Sequence, residues 1–436
     1  MTTRNLFAAS VRLLLLAIVA AIAMPLTAQD EGKNVRDYET AARTAFQTKD
    51  YPLFLENMEK ARALQADHPR LLHNLAIAYT LNGRPDEALR CLRALAAMGL
   101  AYRVEQNDAF ASLRERPEFK EIAQEMAKNR QPQVRSRPEF TVHDKGIIPE
   151  SVAYDAKTHR YYLSSVYRRE ILRVNADGTV TEFAGERAGL WSVLGMKIDA
   201  RRRLLWACTA AQPQMRGFRT EENGLSGIFK FDLDSGKLLK RYMLANHPDR
   251  HLLGDLALGR HGEVFTTDSI APVLYRIRPD VDELETFMSG APFVNLQGLD
   301  FTPDGKRLIV ADYSRGLFVI DLASKGLTQL PPPANVTLLG IDGLYWYRGG
   351  LVAVQNGVNP PRAVRIVLSH DLGSIAEFHV LEANNPLFDE PTLGFVRGDD
   401  FYFIADSQWG AVDDKGQLAA SDKLLQPVIL KLPLSH

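Results

Sequence analysis

The spacing of apolar residues changes once along the chain, near Pro138. Between residues 34 and 129, apolar side chains recur every three or four positions, which is typical of amphipathic helices. After Pro138, short apolar runs alternate with Asp-Gly, Ser-Gly and His-Gly turns, which is typical of β-strands. Residues 130–138 are polar and contain prolines, so we predict a linker there. The pattern therefore predicts a helical segment over 34–129 and a separate β-domain over 139–436.

The clearest helical unit is a pair of helices joined by Asn82-Gly83, with Pro85 at the start of the second helix. Its spacing of small and large apolar residues resembles that of a tetratricopeptide repeat. A weaker copy precedes it and a degenerate copy follows it, at Ala42, Ala45, Phe54, Met58 and Ala61, and at Ala109, Phe110, Leu113, Pro117, Phe119 and Ile122. The resemblance implies a groove for a protein or peptide partner over 34–129. The alternative is that so short an array packs on its own β-domain.

A four-strand unit recurs six times in the β-domain. Each copy begins with an apolar stretch beside a small or acidic residue, at Pro149-Glu150-Ser151, Leu194-Gly195-Met196, Leu253-Gly254-Asp255, Leu296-Gln297-Gly298, Ile341-Asp342-Gly343 and Glu390-Pro391-Thr392. A period of ~40–50 residues with four strands is typical of propeller blades. The sixth copy has three strands, and Phe140 to His143 can supply the missing outer strand. The sequence thus predicts an α + β multidomain protein, a short tetratricopeptide-like array followed by an all-β six-bladed propeller closed by an N-terminal strand.

The first residues have the three parts of a secretory signal peptide. Arg4 and Arg12 precede an apolar run from Leu13 to Met24, and Pro25 interrupts it. The run is short for a membrane span of ~20 residues, so we predict a signal peptide over 1–28 and no span after its cleavage. The alternative is an uncleaved anchor. The prediction is an exported protein, periplasmic or secreted.

Composition and motifs exclude several classes of function. The formal net charge is −1, with no concentrated basic segment, so nucleic acid is not a predicted partner. The two cysteines, Cys91 and Cys208, fall in different predicted domains, which argues against a thiolate zinc site. The chain has no Gly-x-Ser-x-Gly elbow, phosphate-binding glycine loop or zinc-protease histidine pair.

Candidate chemistry lies where the innermost strands begin, because side chains from several blades can converge there. Five such residues carry side-chain oxygens, Glu150, Asp255, Gln297, Asp342 and Glu390, and the first four are the predicted ligands. Carboxylate and amide oxygens suit Ca²⁺ or another divalent cation, so we predict a metal site at the mouth of the ring. The alternative is that some of these acids cap turns.

Further residues are predicted to form a pocket or a lid. An insertion from Ala207 to Asn223, which contains Gln212 and Arg216, is long enough to cover one mouth. Trp191 and Trp409 are candidates for the wall of a pocket, and a core role is the alternative for each.

Three short motifs resemble the propeller family of senescence marker protein (regucalcin) and gluconolactonase, over roughly 140–433. They are Pro149-Glu150-Ser151, Gln297-Gly298-Leu299 and Ile341-Asp342-Gly343. The resemblance implies a divalent metal that polarises a sugar lactone, with Asp342 as ligand and general base. Two positions depart from the family: Gln297 replaces an Asn, and Gly254 stands where another Asn ligand is expected.

The altered ligands favour binding over catalysis. The leading hypothesis is an exported cell-envelope protein whose helical segment binds a partner protein and whose propeller mouth binds a small ligand or peptide. The alternative is a calcium-dependent lactone or ester hydrolase of the gluconolactonase type.

Overall fold

The computed structural model describes residues 33–65, 68–175, 177–244, 250–413 and 415–435. The predicted signal peptide over residues 1–28 lies outside these ranges. The chain divides into two compact units, Met1–Ala66 and Asp67–His436. Within the described ranges, no helix has both the length and the apolar character needed to cross a membrane.

The first unit contains a pair of helices, α1 (Val35–Gln47) and α2 (Tyr51–Leu64). Asn34 accepts hydrogen bonds from the first turn of α1, and Asp50 accepts one from Leu53 N at the start of α2. These caps satisfy amides that a helix leaves unpaired. The apolar residues predicted for the weaker repeat are buried in this pair, namely Ala42, Ala45, Phe54, Met58 and Ala61.

The second unit begins with three further helices, α3 (Pro69–Leu81), α4 (Pro85–Ala97) and α5 (Pro117–Asn129). The α3–α4 pair confirms the clearest predicted helix pair, with Leu75 and Leu92 fully buried. The third pair differs, because the region before α5 forms 3₁₀ turns at Val104–Gln106 and Asp108–Leu113 instead of an α-helix. The helices are therefore observed, and their assignment as tetratricopeptide repeats stays a prediction.

The rest of the unit is built from strands joined by short loops. In chain order they are β1 (Arg137–Thr141), β2 (Val152–Asp155), β3 (Arg160–Ser165), β4 (Glu170–Val174), β5 (Val180–Ala184), β6 (Ser192–Asp199), β7 (Leu204–Ala210), β8 (Ser226–Asp232), β9 (Leu238–Met243), β10 (Leu253–Leu258), β11 (Val264–Asp268), β12 (Val273–Ile277), β13 (Leu284–Ser289), β14 (Leu296–Phe301), β15 (Arg307–Asp312), β16 (Gly316–Asp321), β17 (Leu327–Gln329), β18 (Leu344–Tyr347), β19 (Gly350–Gln355), β20 (Arg362–Leu368), β21 (Ile375–Ala383), β22 (Gly394–Arg397), β23 (Asp400–Ile404) and β24 (Val428–Pro433).

In the described residues these strands form six four-stranded antiparallel sheets. Blades 1 to 5 each use four consecutive strands, and blade 6 has the order β1-β24-β23-β22. The innermost strands β2, β6, β10, β14, β18 and β22 neighbour one another in a closed ring. The predicted six-bladed propeller is confirmed, as is its closure, because β1 pairs with β24 through Phe140 and Ile429.

Glycines in the repeated markers allow the innermost strands to approach closely. A Cβ on Gly298 would lie 2.6 Å from Leu344 N in the next blade, and a Cβ on Gly195 would lie 2.7 Å from Gly254 O. No side chain fits at such distances from a neighbouring backbone, so only glycine is tolerated. The glycines that marked the second and fourth repeats therefore reflect crowding at the axis.

Aspartates at the ends of second strands fix the loops at the mouth. Asp268 Oδ1 accepts the backbone N–H groups of Leu252, Ile270 and Ala271 at 3.0–3.1 Å. In blade 4, Asp312 accepts hydrogen bonds from backbone N–H groups before β14 and after β15. The residue that follows each aspartate is thereby held at the mouth of the ring.

The helical part of the second unit packs on blade 5. Arg362, which is 1% exposed, donates from Nη1 to Met98 O at 3.0 Å and from Nε to Gln355 Oε1 at 2.6 Å. Asn359 donates to Ala101 O at 2.7 Å. For residues 68–130 the structure thus shows packing on the propeller, the arrangement considered above as the alternative to a partner groove.

The segment predicted as a linker, residues 130–138, is also attached to blade 5. Gln133 pairs with Ala383, and the buried Glu382 accepts the backbone N–H groups of Arg135 and Ser136 at 3.0 and 2.6 Å. A carboxylate that accepts hydrogen bonds from several backbone amides fixes the path of the chain.

Candidate functional site

A cavity of about 410 Å³ lies where the innermost strands begin. Its wall is made of acidic, aromatic, amide and aliphatic side chains from several blades, namely Glu150, Leu194, Leu252, Gly254, Asp255, Ser269, Ile270, Gln297, Tyr313, Asp342, Asn356, Glu390, Thr392, Leu393, Ser407 and Trp409. All four residues predicted as metal ligands, Glu150, Asp255, Gln297 and Asp342, are among them. The ring topology therefore brings together side chains that are far apart in the sequence.

Glu150 and Asp342 are joined through one hydroxyl group. Thr392 Oγ1 lies 2.8 Å from Glu150 Oε1 and 2.9 Å from Asp342 Oδ2. A hydroxyl has one hydrogen and can donate to one of these oxygens only. Its contact with the second carboxyl becomes a hydrogen bond when that group is itself protonated and donates to the hydroxyl. The arrangement thus suits a pair of carboxyl groups that shares one proton.

Other donors hold each carboxyl in place. The Trp409 indole Nε1 donates to Glu150 Oε2 at 2.7 Å, and Trp409 N donates to Glu390 Oε2 at 2.9 Å. Asn356 Nδ2 donates to Asp342 Oδ2 at 2.8 Å, and the Tyr313 hydroxyl donates to Asn356 Oδ1 at 3.0 Å.

Burial shifts the titration of both carboxyl groups. Loss of hydration raises the pKa of Glu150 well above its usual value, and the charge of Asp342 raises it further. Burial likewise raises the pKa of Asp342 to about 6, against the opposing hydrogen bond from Thr392. Such shifts are typical of acid–base or ligand-binding groups in a cleft.

Asp255 forms a deeper part of the wall. It is 2% exposed, and burial raises its pKa. Its Oδ1 accepts from Leu256 N at 2.8 Å and lies 3.6 Å from Lys197 Nζ. Its Oδ2 is buried without a hydrogen-bond partner among the described residues.

The Gln297 side chain forms hydrogen bonds with side chains of its own blade and of the preceding blade. Its Nε2 donates to Asn295 Oδ1 at 2.7 Å, and its Oε1 accepts from the Ser269 hydroxyl at 3.3 Å. A Cβ on Gly254 would lie 2.6 Å from Ser269 Oγ, so Ser269 occupies the space that a side chain at position 254 would need.

The side-chain oxygens of the cavity, as they are arranged, do not form a binding site for a divalent cation. Among the described residues, no group of three or more His, Cys, Asp or Glu side chains comes together to hold a metal ion. Thr392 Oγ1 stands between the oxygens of Glu150 and Asp342, and Gly254 offers no side-chain donor. A calcium ion needs about six to eight oxygen ligands. A calcium ion at this mouth stays a prediction from the sequence.

Of the four residues predicted for a pocket or lid, Trp409 lines the cavity and the other three lie outside it. Gln212 is buried, at 5% exposure. Arg216 N donates to Tyr167 O at 2.8 Å, and the Arg216 side chain points to Glu186. Trp191 N donates to Thr209 Oγ1 at 2.9 Å, which fixes the backbone there to β7.

Sequence reasoning did not single out several cavity residues as site residues. Three of them directly follow the second strand of their blade, namely Ser269, Tyr313 and Asn356. Ser407 follows Asp406, which lies two residues beyond the end of β23. This shared position just after the second strand could have been used to predict them as cavity residues. Thr392 is the last residue of the sixth marker, in which only Glu390 had been noted as an oxygen-bearing residue.

Comparisons with known proteins give no family. No family model matches the chain, and no curated protein matches it. Among solved structures, a gluconolactonase from Xanthomonas campestris is 16% identical with a TM-score of 0.45, over 69% of this chain and 96% of that one. The PQQ-bound aldose sugar dehydrogenase from Streptomyces coelicolor is 15% identical with a TM-score of 0.47, over 70% and 99%. Virginiamycin B lyase from Staphylococcus aureus is 16% identical with a TM-score of 0.45, over 70% and 100%. No function is taken from these similarities.

Proposed function

We propose that this protein binds a small polar molecule in the cavity at the mouth of the propeller. The observation that carries this proposal is the convergence of Glu150, Asp255 and Asp342 from three different blades on one cavity. Burying several carboxyl groups costs stability unless they are paired or used. A ligand that satisfies them is the simplest reason to keep them together.

The remaining parts of the proposal come from the sequence. The signal-peptide pattern over residues 1–28 supports export to the periplasm or outside the cell. The tetratricopeptide-like spacing over 34–129 supports a role in contacting a partner protein, in addition to the packing of residues 68–130 on blade 5. We infer an envelope protein that combines ligand binding at the mouth with a protein contact through its helices.

A ligand screen tests the binding role. Purified protein is heated with a library of small polar metabolites, and a bound ligand raises the melting temperature by mass action. Asp342→Asn keeps the shape of the side chain and removes its charge, so the ligand-dependent rise is expected to disappear. Asp280→Asn, an exposed site outside the cavity, is the matched control and keeps the full rise. Equal rises in both variants would contradict the proposal.

A second candidate is hydrolysis of a lactone or another ester. It is supported by the pairing of Glu150 and Asp342 through Thr392, since both carboxyl groups then lie beside one hydroxyl in the same cavity. One such group can donate a proton to a leaving oxygen while the other accepts one from water. No step through a metal is included, because the donor arrangement does not fit one.

Turnover of a lactone panel tests this candidate, with calcium added and with a chelator. Hydrolysis lost in both Glu150→Gln and Asp342→Asn would support the enzyme. Dependence on calcium, together with a calcium-induced rise in melting temperature that Glu150→Gln abolishes, would establish the metal-dependent form. No turnover in any condition would count against the hydrolase.

A further inference from the structure

In the cavity at the mouth, most side-chain hydrogen-bond donors are satisfied within the protein, whereas several acceptors are not. Each lining side chain that carries an amide, indole or phenol hydrogen already donates within the protein. These donors are Trp409 Nε1, Asn356 Nδ2, Gln297 Nε2 and the Tyr313 hydroxyl. A ligand therefore finds few free donors in the wall.

Acceptor oxygens, by contrast, remain open. Both side-chain contacts of Asp342, with Asn356 Nδ2 and with Thr392 Oγ1, are made by its Oδ2, and its Oδ1 accepts no hydrogen bond among the described residues. Glu390 accepts on Oε2 only. Asp255 Oδ2 is buried and without a partner in the described structure. A buried acceptor left unpaired is destabilising, so a ligand that donates a hydrogen bond to it removes that penalty.

The charge of the wall has one sign. Glu150, Asp255, Asp342 and Glu390 line the cavity, and no Lys, Arg or His is among its lining residues in the described structure. Lys197 is not among the lining residues; its Nζ lies 3.6 Å from Asp255 Oδ1 and 4.8 Å from the centre of the Tyr345 ring. Anionic ligands are disfavoured by this field, and cationic ligands are attracted to it.

The size and apolar content of the cavity point to an organic cation, not a bare metal ion. The volume is about 410 Å³, and Leu194, Leu252, Ile270 and Leu393 form part of the wall. The Trp409 and Tyr313 rings also line it, and aromatic faces attract ammonium groups. An ion alone would leave this apolar surface unused.

We propose that the ligand is a small organic cation, an amine or guanidinium compound with an apolar body. Its charged end lies among Asp342, Glu390 and Asp255, and its apolar body lies against the leucines and the two aromatic rings. This inference rests on the proposed binding function and specifies the chemical class of the ligand.

Isosteric probes test the inference by calorimetric titration. The first set is 2-phenylethylamine, 2-phenylethanol and phenylacetate, which share a body and differ in charge. The second set is hexylamine, hexanol and hexanoate. In each set we expect the amine to bind at least about tenfold more tightly than the alcohol, since a hydrogen bond between charged groups is stronger than one from a neutral hydroxyl. The carboxylate is expected to bind more weakly than the alcohol.

Variants locate the effect. Asp342→Asn and Asp255→Asn are each expected to weaken amine binding about tenfold and to leave alcohol binding unchanged. Asp280→Asn is the control and changes neither. Circular dichroism and urea unfolding of each variant separate a lost contact from a lost fold.

Each contrary outcome has a defined meaning. Equal affinity for amine and alcohol, or tighter binding of the carboxylate, overturns the cation inference. If polyols or lactones from the screen bind and the amines do not, the binding function stands and the ligand class is wrong. If nothing in either panel binds, both proposals fail. Calcium binding that Glu150→Gln and Asp342→Asn abolish would show a metal centre and would also overturn the inference.

Discussion

Replacing Gly298 with alanine is expected to lower the free energy of unfolding by about 3 kcal/mol, since the added methyl overpacks a rigid contact. The new Cβ would contact Asp342 O and lie 2.6 Å from Leu344 N, both backbone atoms of blade 5. Gly298 N also donates to Asp342 O at 2.7 Å. The strand must therefore move away and carry Asp342 with it. Urea unfolding measures the loss, and ligand binding at the mouth should weaken in the same variant.

A matched control separates this clash from a general cost of removing glycine. Gly410 has no atom within 4 Å of an added Cβ and does not have a positive φ. Gly410→Ala is expected to change the free energy of unfolding by less than about 0.5 kcal/mol. Equal losses in the two variants would show that axial crowding is not the reason for the repeated glycines.

Replacing Arg203 with alanine is expected to destabilise the propeller by about 3–5 kcal/mol, the cost of leaving a buried charge unpaired. Arg203 donates from Nη1 and Nη2 to the two oxygens of Asp155 at 2.7 and 2.8 Å, and it also contacts Asp234. The Asp155 side chain is fully buried. The contact joins blade 1 to blade 2, so its loss acts on the packing between blades.

The same ion pair sets a pH dependence. Arg203 lowers the pKa of Asp155 from 3.8 to about 2. Because the folded-state pKa is the lower one, the stabilisation is complete above about pH 4 and is lost as the pH falls through 2. Urea unfolding of the wild type and Arg203→Ala should therefore converge as the pH decreases through this window. Arg203→Lys, which keeps one charge without the two-pronged contact, should fall between them. A constant difference between wild type and Arg203→Ala at all pH values would contradict this role.

The sequence predicted the propeller well because its repeats have a local physical cause. Glycines such as Gly195 and Gly298 recur where the strands crowd at the axis, and acids such as Asp342 recur beside them. The closing strand was predictable because the sixth repeat lacked an outer strand and Phe140 stood before the first repeat.

The site was predicted less completely, because position in a repeat does not fix the direction of a side chain. Trp191 and Trp409 looked equivalent, yet only Trp409 lines the cavity. The role of Thr392 depends on two carboxyls from other blades that meet at its hydroxyl, and no sequence pattern contains that contact. The missing α-helix before α5 likewise depends on how residues 104–113 pack, where short 3₁₀ turns form instead.

The central claim is that the ring brings Glu150 and Asp342 into contact with one hydroxyl. A double-mutant cycle with Glu150→Gln, Asp342→Asn and the double variant measures this most directly, by urea unfolding at pH 7. Residues that share a partner show coupling energies of about 0.5–3 kcal/mol, and independent sites are additive within about 0.3–0.5 kcal/mol. We predict coupling of at least about 1 kcal/mol, which should decrease when Thr392 is replaced by valine, since the direct charge interaction of the two carboxyl groups remains. Additive effects of the two substitutions in the wild-type background would contradict the account.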